Sequence, residues 1–305
     1  MEIIYLLAEL IPCLTIGYLI GRFKEDLSLS IARPLINYGI PLSLMGILLK
    51  AGLKPQLMEA AATALVAIGI LMAIINCLPL FRKYISNPTL ILGCSFGNTG
   101  YFGIPVSLAL LPNQALIYSI GFDIGATLVI WSIGPIVLNY DSKNIKSPIL
   151  WKNFIKAISK SPAIKGLIGA LLIHLSPWDE EITSYLWIPS RIVIVLALVV
   201  VGIRLGWIRK SKLSRIKYQI LSIKNAMIMK LIGMPLVMLI ICIISKAPHN
   251  MRNALVLQAA APTAISVLLI SKAFSKNEEK ATYLVAYSSL TALITIPIWS
   301  KILGL

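Results

Sequence analysis

Long apolar runs separated by short polar stretches set the pattern of this chain. Cutting at charges and turn residues leaves ten apolar segments: 3–21, 30–49, 57–81, 88–111, 115–138, 163–176, 186–208, 225–245, 253–273 and 281–300. At 1.5 Å of rise per residue, a helix of ~20 residues crosses ~30 Å of hydrocarbon. Most of the segments approach that length. The sixth is short and borrows the amphipathic stretch from Trp151 to Lys160. The pattern predicts an all-α membrane protein of ten transmembrane helices with no soluble domain. Two segments are interrupted near their middle, one at Gly97-Asn98-Thr99-Gly100-Tyr101-Phe102-Gly103-Ile104-Pro105 and the other at Gln258-Ala259-Ala260-Ala261-Pro262-Thr263.

The polar stretch 139–162 divides the ten segments five and five. An odd number per half inserts the halves in opposite orientation, the inverted-repeat plan of many secondary transporters. Weak internal similarity runs in the same order in both halves. Met45-Gly46 answers to Val201-Gly202, Gly134-Pro135 to Ile296-Pro297, and the two breaks fall at equivalent places. The expected units are 1–140, the first five-helix repeat, and 141–305, the second.

Composition agrees with a membrane class: 58% of the 305 residues are hydrophobic and 13% charged, against roughly 25% charged in soluble domains. The net charge of +16 reads as topology rather than nucleic-acid binding. Arg22 and Lys24, Arg82 and Lys83, the lysines from Lys143 to Lys165, the basic run Arg209 to Lys224 and the lysines from Lys272 to Lys280 fall on alternate loops. The acidic cluster Asp179-Glu180-Glu181 falls on the other side. This is the positive-inside asymmetry; it predicts a cell-membrane protein with both termini outside. The first segment has its positive flank on its far side, so it reads as a retained anchor rather than a cleaved signal peptide. The four cysteines lie in apolar runs without CxxC spacing and read as small core hydrophobes. No metal site and no cofactor is expected.

The breaks carry the chemistry. Gly97, Gly100 and Gly103 let the backbone leave helical geometry cheaply, and Pro105 and Pro262 each remove a donor. Freed N–H and C=O groups cost several kcal/mol in hydrocarbon unless something binds them. The expected result is two half-helix pairs joined by short extended peptides that cross near the midplane. Their N-termini would form an anion site without any lysine. Asn98, Thr99 and Thr263 would add side-chain hydrogen bonds, with Ser266 one turn on. Asp123 lies about nine residues past Gln114, ~13 Å deep. A carboxylate at that depth lines a pathway or relays protons; the alternative is an aspartate bonded to a neighbour, for example through Thr127. Lys230, drawn near the inner end of its segment, reads as a snorkelling side chain. No GxxxxGK[ST], HExxH or GxSxG motif is present, and no nucleophile and base pair off, so an enzyme is not expected.

Asn98-Thr99-Gly100-Tyr101-Phe102-Gly103-Ile104-Pro105 resembles the fourth-span motif of the auxin efflux carrier family. Gln258-Ala259-Ala260-Ala261-Pro262 is similar to its ninth-span motif. Supporting matches are Pro12 to Arg22, Ile40-Pro41, Asp123, and Lys230 with Pro235. The resemblance implies crossed fourth and ninth helices and a scaffold of spans one, two, six and seven. Spans three to five and eight to ten would form a transport unit moving as an elevator, on the plan shared with sodium/bile-acid symporters. It implies a malate-, malonate- or auxin-like carboxylate as substrate, contacted by Asn98 beside a crossover shaped by Pro105 and Pro262. The stretch 139–162 is brief where plant members carry a long loop, which points to a compact bacterial type. A proton through Asp123, the membrane potential, or sodium would drive transport. Rival readings are a sodium-coupled anion symporter and a ligand-binding membrane sensor. Lipid-facing and dimer-seam residues look alike, so a homodimer stays open.

Overall fold

A computed structural model describes residues 2–23, 34–52, 54–139, 162–208, 216–274 and 276–305. Most of the polar stretch between the halves (140–161) and the basic loops at 24–33 and 209–215 lie outside the described residues. Among the described residues fourteen α-helices follow in chain order. They are α1 (Glu2–Phe23), α2 (Ile40–Ala51), α3 (Gln56–Cys77), α4 (Pro79–Tyr84), α5 (Pro88–Ser95), α6 (Ile104–Leu110) and α7 (Leu116–Asn139), then α8 (Pro162–His174), α9 (Asp179–Ile208), α10 (Ile216–Ile228), α11 (Met234–Ile244), α12 (His249–Ala260), α13 (Ile265–Ala273) and α14 (Glu278–Leu303). Among the described residues there is no strand. Spans Gln56–Cys77, Leu116–Leu138, Gln219–Ile244 and Glu278–Leu303 are long and apolar enough to cross a membrane. The chain is an all-α membrane protein.

Three wide π turns, Leu35–Gly39, Thr99–Gly103 and Met229–Gly233, lead into α2, α6 and α11. Each ends on the glycine of a Gly-x-Pro triplet: Gly39-Ile40-Pro41, Gly103-Ile104-Pro105 and Gly233-Met234-Pro235. Proline clashes with the carbonyl four residues back and has no N–H to give it. The chain answers by widening one turn, so that Ile104 N–H donates to Thr99 O and Met234 N–H to Met229 O, five residues back. The carbonyl opposite Pro235, Leu231 O, accepts instead from Trp299 Nε1 at 2.9 Å.

Small residues set the tightest helix contacts, as hydrocarbon-embedded packing favours. Gly121 and Gly125 flank Asp123 on α7 and press on α3. A Cβ built on Gly121 would stand 2.4 Å from Leu57 O, and one on Gly125 2.8 Å from Ala61 O. The same backbone approach joins α1 to α9, where a Cβ on Gly21 would meet Ile203 O at 2.0 Å. Helices α1, α2, α8 and α9 pack on one another, through α1 on α9 and α2 on both α8 and α9. The larger buried core is drawn from α3, α5, α6 and α7 and from α10 to α14. Large apolar side chains such as Ile70, Ile188, Ile240 and Ile294 remain exposed around the outside, as a lipid-facing surface requires.

Candidate functional site

The first break follows α5. Asn87 caps that helix by accepting Thr89 N–H at 2.9 Å, and Pro88 supplies the first turn. The helix ends at Ser95, Phe96 is extended (φ −109°, ψ 127°), and winding resumes at Thr99. The second break follows α12. Ala261 is extended (φ −56°, ψ 145°), the conformation that a following proline imposes on its predecessor. Helix α13 begins at Ile265.

The two extended peptides meet as one antiparallel bridge, Gly97 opposite Thr263. Asn98 N–H donates to Pro262 O at 2.6 Å and Ala264 N–H to Phe96 O at 3.0 Å. Backbone groups freed by both interruptions thus satisfy each other across the crossing. Thr263 is fully buried and pins the bridge from both sides. Its N–H donates to Ser288 Oγ of α14 at 3.0 Å and its hydroxyl to Gly93 O at 2.8 Å.

Asn98 O accepts the N–H groups of Phe102 and Gly103, each at 3.1 Å. Asn98 is 5% exposed, and its side chain does not cap the helix it precedes. Thr99 Oγ1 donates to Asp123 Oδ1, so the partner of Asp123 is Thr99 of the break and not Thr127. Gly100 makes room for the carboxylate: a Cβ there would lie 3.3 and 3.4 Å from its two oxygens. Asp123, 6% exposed, therefore sits on the first turn of the resumed helix, where the positive end of the dipole favours a carboxylate.

Gly103 faces the second break. A Cβ there would fall 2.1 Å from Gln258 Oε1, while Gln258 Nε2 donates to Ser107 Oγ at 3.1 Å and Ser119 Oγ donates to the same oxygen at 2.9 Å. Pro105 stands in the first turn of α6, and Ser266 is half-buried in the first turn of α13. Of the residues singled out from sequence, Asn98, Thr99, Gly100, Asp123, Pro262 and Thr263 gather at the crossing. Gly103 joins them through Gln258, and Pro105 and Ser266 lie just beyond.

Lys230 corrects the sequence reading. It does not snorkel: it is 1% exposed, and Nζ donates to Ala259 O at 2.7 Å. An apolar segment beginning at 225 leaves Lys230 near an end. The span in fact runs from Gln219 to Ile244 and places Lys230 near its middle. Gln258 and Ser107 are further members that the sequence reading left out of the site. The close spacing of Gly103 to Pro105 gave no sign of what would pack on Gly103. Among the described residues no cluster of His, Cys, Asp or Glu could hold a metal ion.

Apolar membrane-length helices with two interrupted helices joined at mid-length place this chain among membrane transport proteins built on discontinuous helices. Residues 46–300 match a family model described as membrane transport protein, and the chain belongs to that family, which is the auxin efflux carrier family. It is accordingly a membrane transporter. No curated protein matches the chain.

Proposed function

We propose that this protein is a secondary carrier for a small organic anion of the malate or malonate kind, loaded at the crossing of the two broken helices. The observation that carries the reading is the Gly97–Thr263 bridge. It brings two half-helix N-termini to one place beside buried Asn98, whose side chain does not cap the helix it precedes. Ten crossings in two inverted five-helix repeats, with both termini outside, complete the reading. The mutual packing of α1, α2, α8 and α9 supports a scaffold of spans one, two, six and seven. The remaining spans form the moving unit.

Asp123 gives the carrier its coupling. Its carboxylate occupies the positive end that a substrate carboxylate would use. Two negative charges do not share one such end in low dielectric. Protonation of Asp123 removes the competitor, so a proton and the anion load together. Uptake and efflux of labelled malate, malonate, pyruvate and indole acetate in proteoliposomes test this, with pH, sodium and potential varied independently. Anion flux that follows the proton gradient in sodium-free buffer is the expected result. Flux that requires sodium and ignores pH assigns the chain to sodium coupling, and binding without flux makes it a sensor.

A further inference from the structure

The crossing has negative ends as well as positive ones. Helix α12 stops at Ala260, where the last carbonyls of a helix lack their i+4 partner; Gln258 O accepts the capping N–H of Ala261 at 3.2 Å and keeps its second lone pair. Carbonyls at half-helix C-termini are where discontinuous-helix carriers hold their coupling cation. Here those carbonyls converge beside Gly97. A Cβ built on Gly97 would lie 3.4 Å from both Gln258 O and Ala261 O, and 3.1 Å from Lys230 Nζ. The ammonium donates to Ala259 O, between them in sequence, at 2.7 Å. Gly97 has no side chain to push it away. The π turn Met229–Gly233 carries Lys230 and packs on both α5 and α12, which fixes the direction of its stem. Among the described residues Lys230 makes no salt bridge with a carboxylate. A buried ammonium is tolerated only where charge or dipoles compensate it; here Ala259 O accepts directly, and the carbonyls of Gln258 and Ala261 border the same space beside Gly97.

We propose that Lys230 is a built-in cation: its ammonium fills the cation place at the C-terminal end of α12, so that the crossing closes without a sodium ion. The inference deepens the carrier reading above and rests on the crossing being the working site. Lys230 acts by holding the crossing together.

Thermal unfolding of the purified full-length protein tests it, in choline, sodium, lithium and methylammonium chloride at equal ionic strength. Wild type should unfold at one temperature in all four. Lys230→Ala vacates the place, and sodium or methylammonium should then raise its unfolding temperature by at least ~3 °C over choline, once the cation exceeds its Kd about tenfold. Lys230→Ser, which removes the ammonium and brings in a small hydroxyl, should gain the same dependence. A wild type stabilised by sodium over choline overturns the proposal, as do two substituted proteins that respond to no cation. The readout needs no substrate. A wrong anion assignment therefore leaves it intact, and its failure leaves the anion assignment standing.

Discussion

Replacing Thr263 with valine removes one oxygen from the crossing and little else. The hydroxyl of Thr263 donates to Gly93 O at 2.8 Å in a fully buried setting. Gly93 lies in the last turn of α5, whose carbonyls lack intrahelical partners. Valine keeps the shape and the N–H that donates to Ser288 Oγ. It strands the Gly93 carbonyl in apolar surroundings, at a cost of ~1–3 kcal/mol. At ~2–4 °C per kcal/mol for a chain somewhat under this size, the unfolding temperature should fall by ~2–12 °C. Thr263→Ser keeps the hydroxyl and deletes the methyl group that lies 3.6 Å from a Cβ built on Gly93, a loss of ~0.8 kcal/mol for one buried carbon. Thermal unfolding in detergent, read by intrinsic fluorescence, should therefore rank wild type, serine, valine in falling order. A valine protein as stable as wild type, with serine the weakest, would mean that Thr263 holds its place by packing and that the bridge does not need this bond.

Asn98→Ala should raise the Kd for the transported acid at least tenfold, the worth of a hydrogen bond to a charged group at ~1.5–3 kcal/mol. Its unfolding temperature should stay within ~2 °C of wild type, because the side chain caps nothing; wild-type affinity in a binding titration refutes the assignment. Asp123→Asn should abolish transport driven by a pH gradient and leave exchange of labelled for unlabelled substrate measurable. A pH response that survives in that protein removes Asp123 from coupling. Gly121→Ala puts a methyl group 2.4 Å from Leu57 O and should cost ~1–3 kcal/mol by overpacking. Gly69→Ala on α3 meets nothing within 4 Å and should cost nothing, so equal unfolding temperatures for the two would refute the close contact of α3 and α7.

Both breaks were legible in the sequence because glycine and proline act on the backbone locally. Three glycines within seven residues, or a proline inside an apolar run, disturb a helix whatever surrounds it. Asp123 was legible for a related reason: its depth follows from counting residues at 1.5 Å each. What the count left open was the partner. Thr127 lies on the same helix and was the local choice; Thr99 sits 24 residues away and reaches Asp123 only because the break turns it there. Lys230 was misread through a boundary. Lys224 looked like the end of the membrane, yet the candidate span begins at Gln219 and so carries that lysine inside it. The Gly-x-Pro triplet that follows Lys230 was a usable signal. The same triplet closes the π turn at Thr99–Gly103 and the one at Leu35–Gly39, and π turns gather at functional positions. The fit of Gln258 against Gly103 had no sequence signal, since it depends on where two remote helices cross.

The crossing carries its own charges, and their placement constrains how a guest is admitted. Each helix end is worth about half an elementary charge. The positive end at Thr99 is met by Asp123, and the negative end at Ala259 by Lys230. With both in place the crossing is internally balanced and offers a free anion little. Neutralising Asp123 tips the balance: the positive end is released while the ammonium remains, and the site becomes net positive without any residue moving. Under the proposed carrier reading, an anion would then enter a place already charged to receive it and leave when the proton does. On that reading the order of loading would follow from the electrostatics whichever acid is carried. A crossing stripped of Lys230 would lose that positive remainder even with Asp123 protonated.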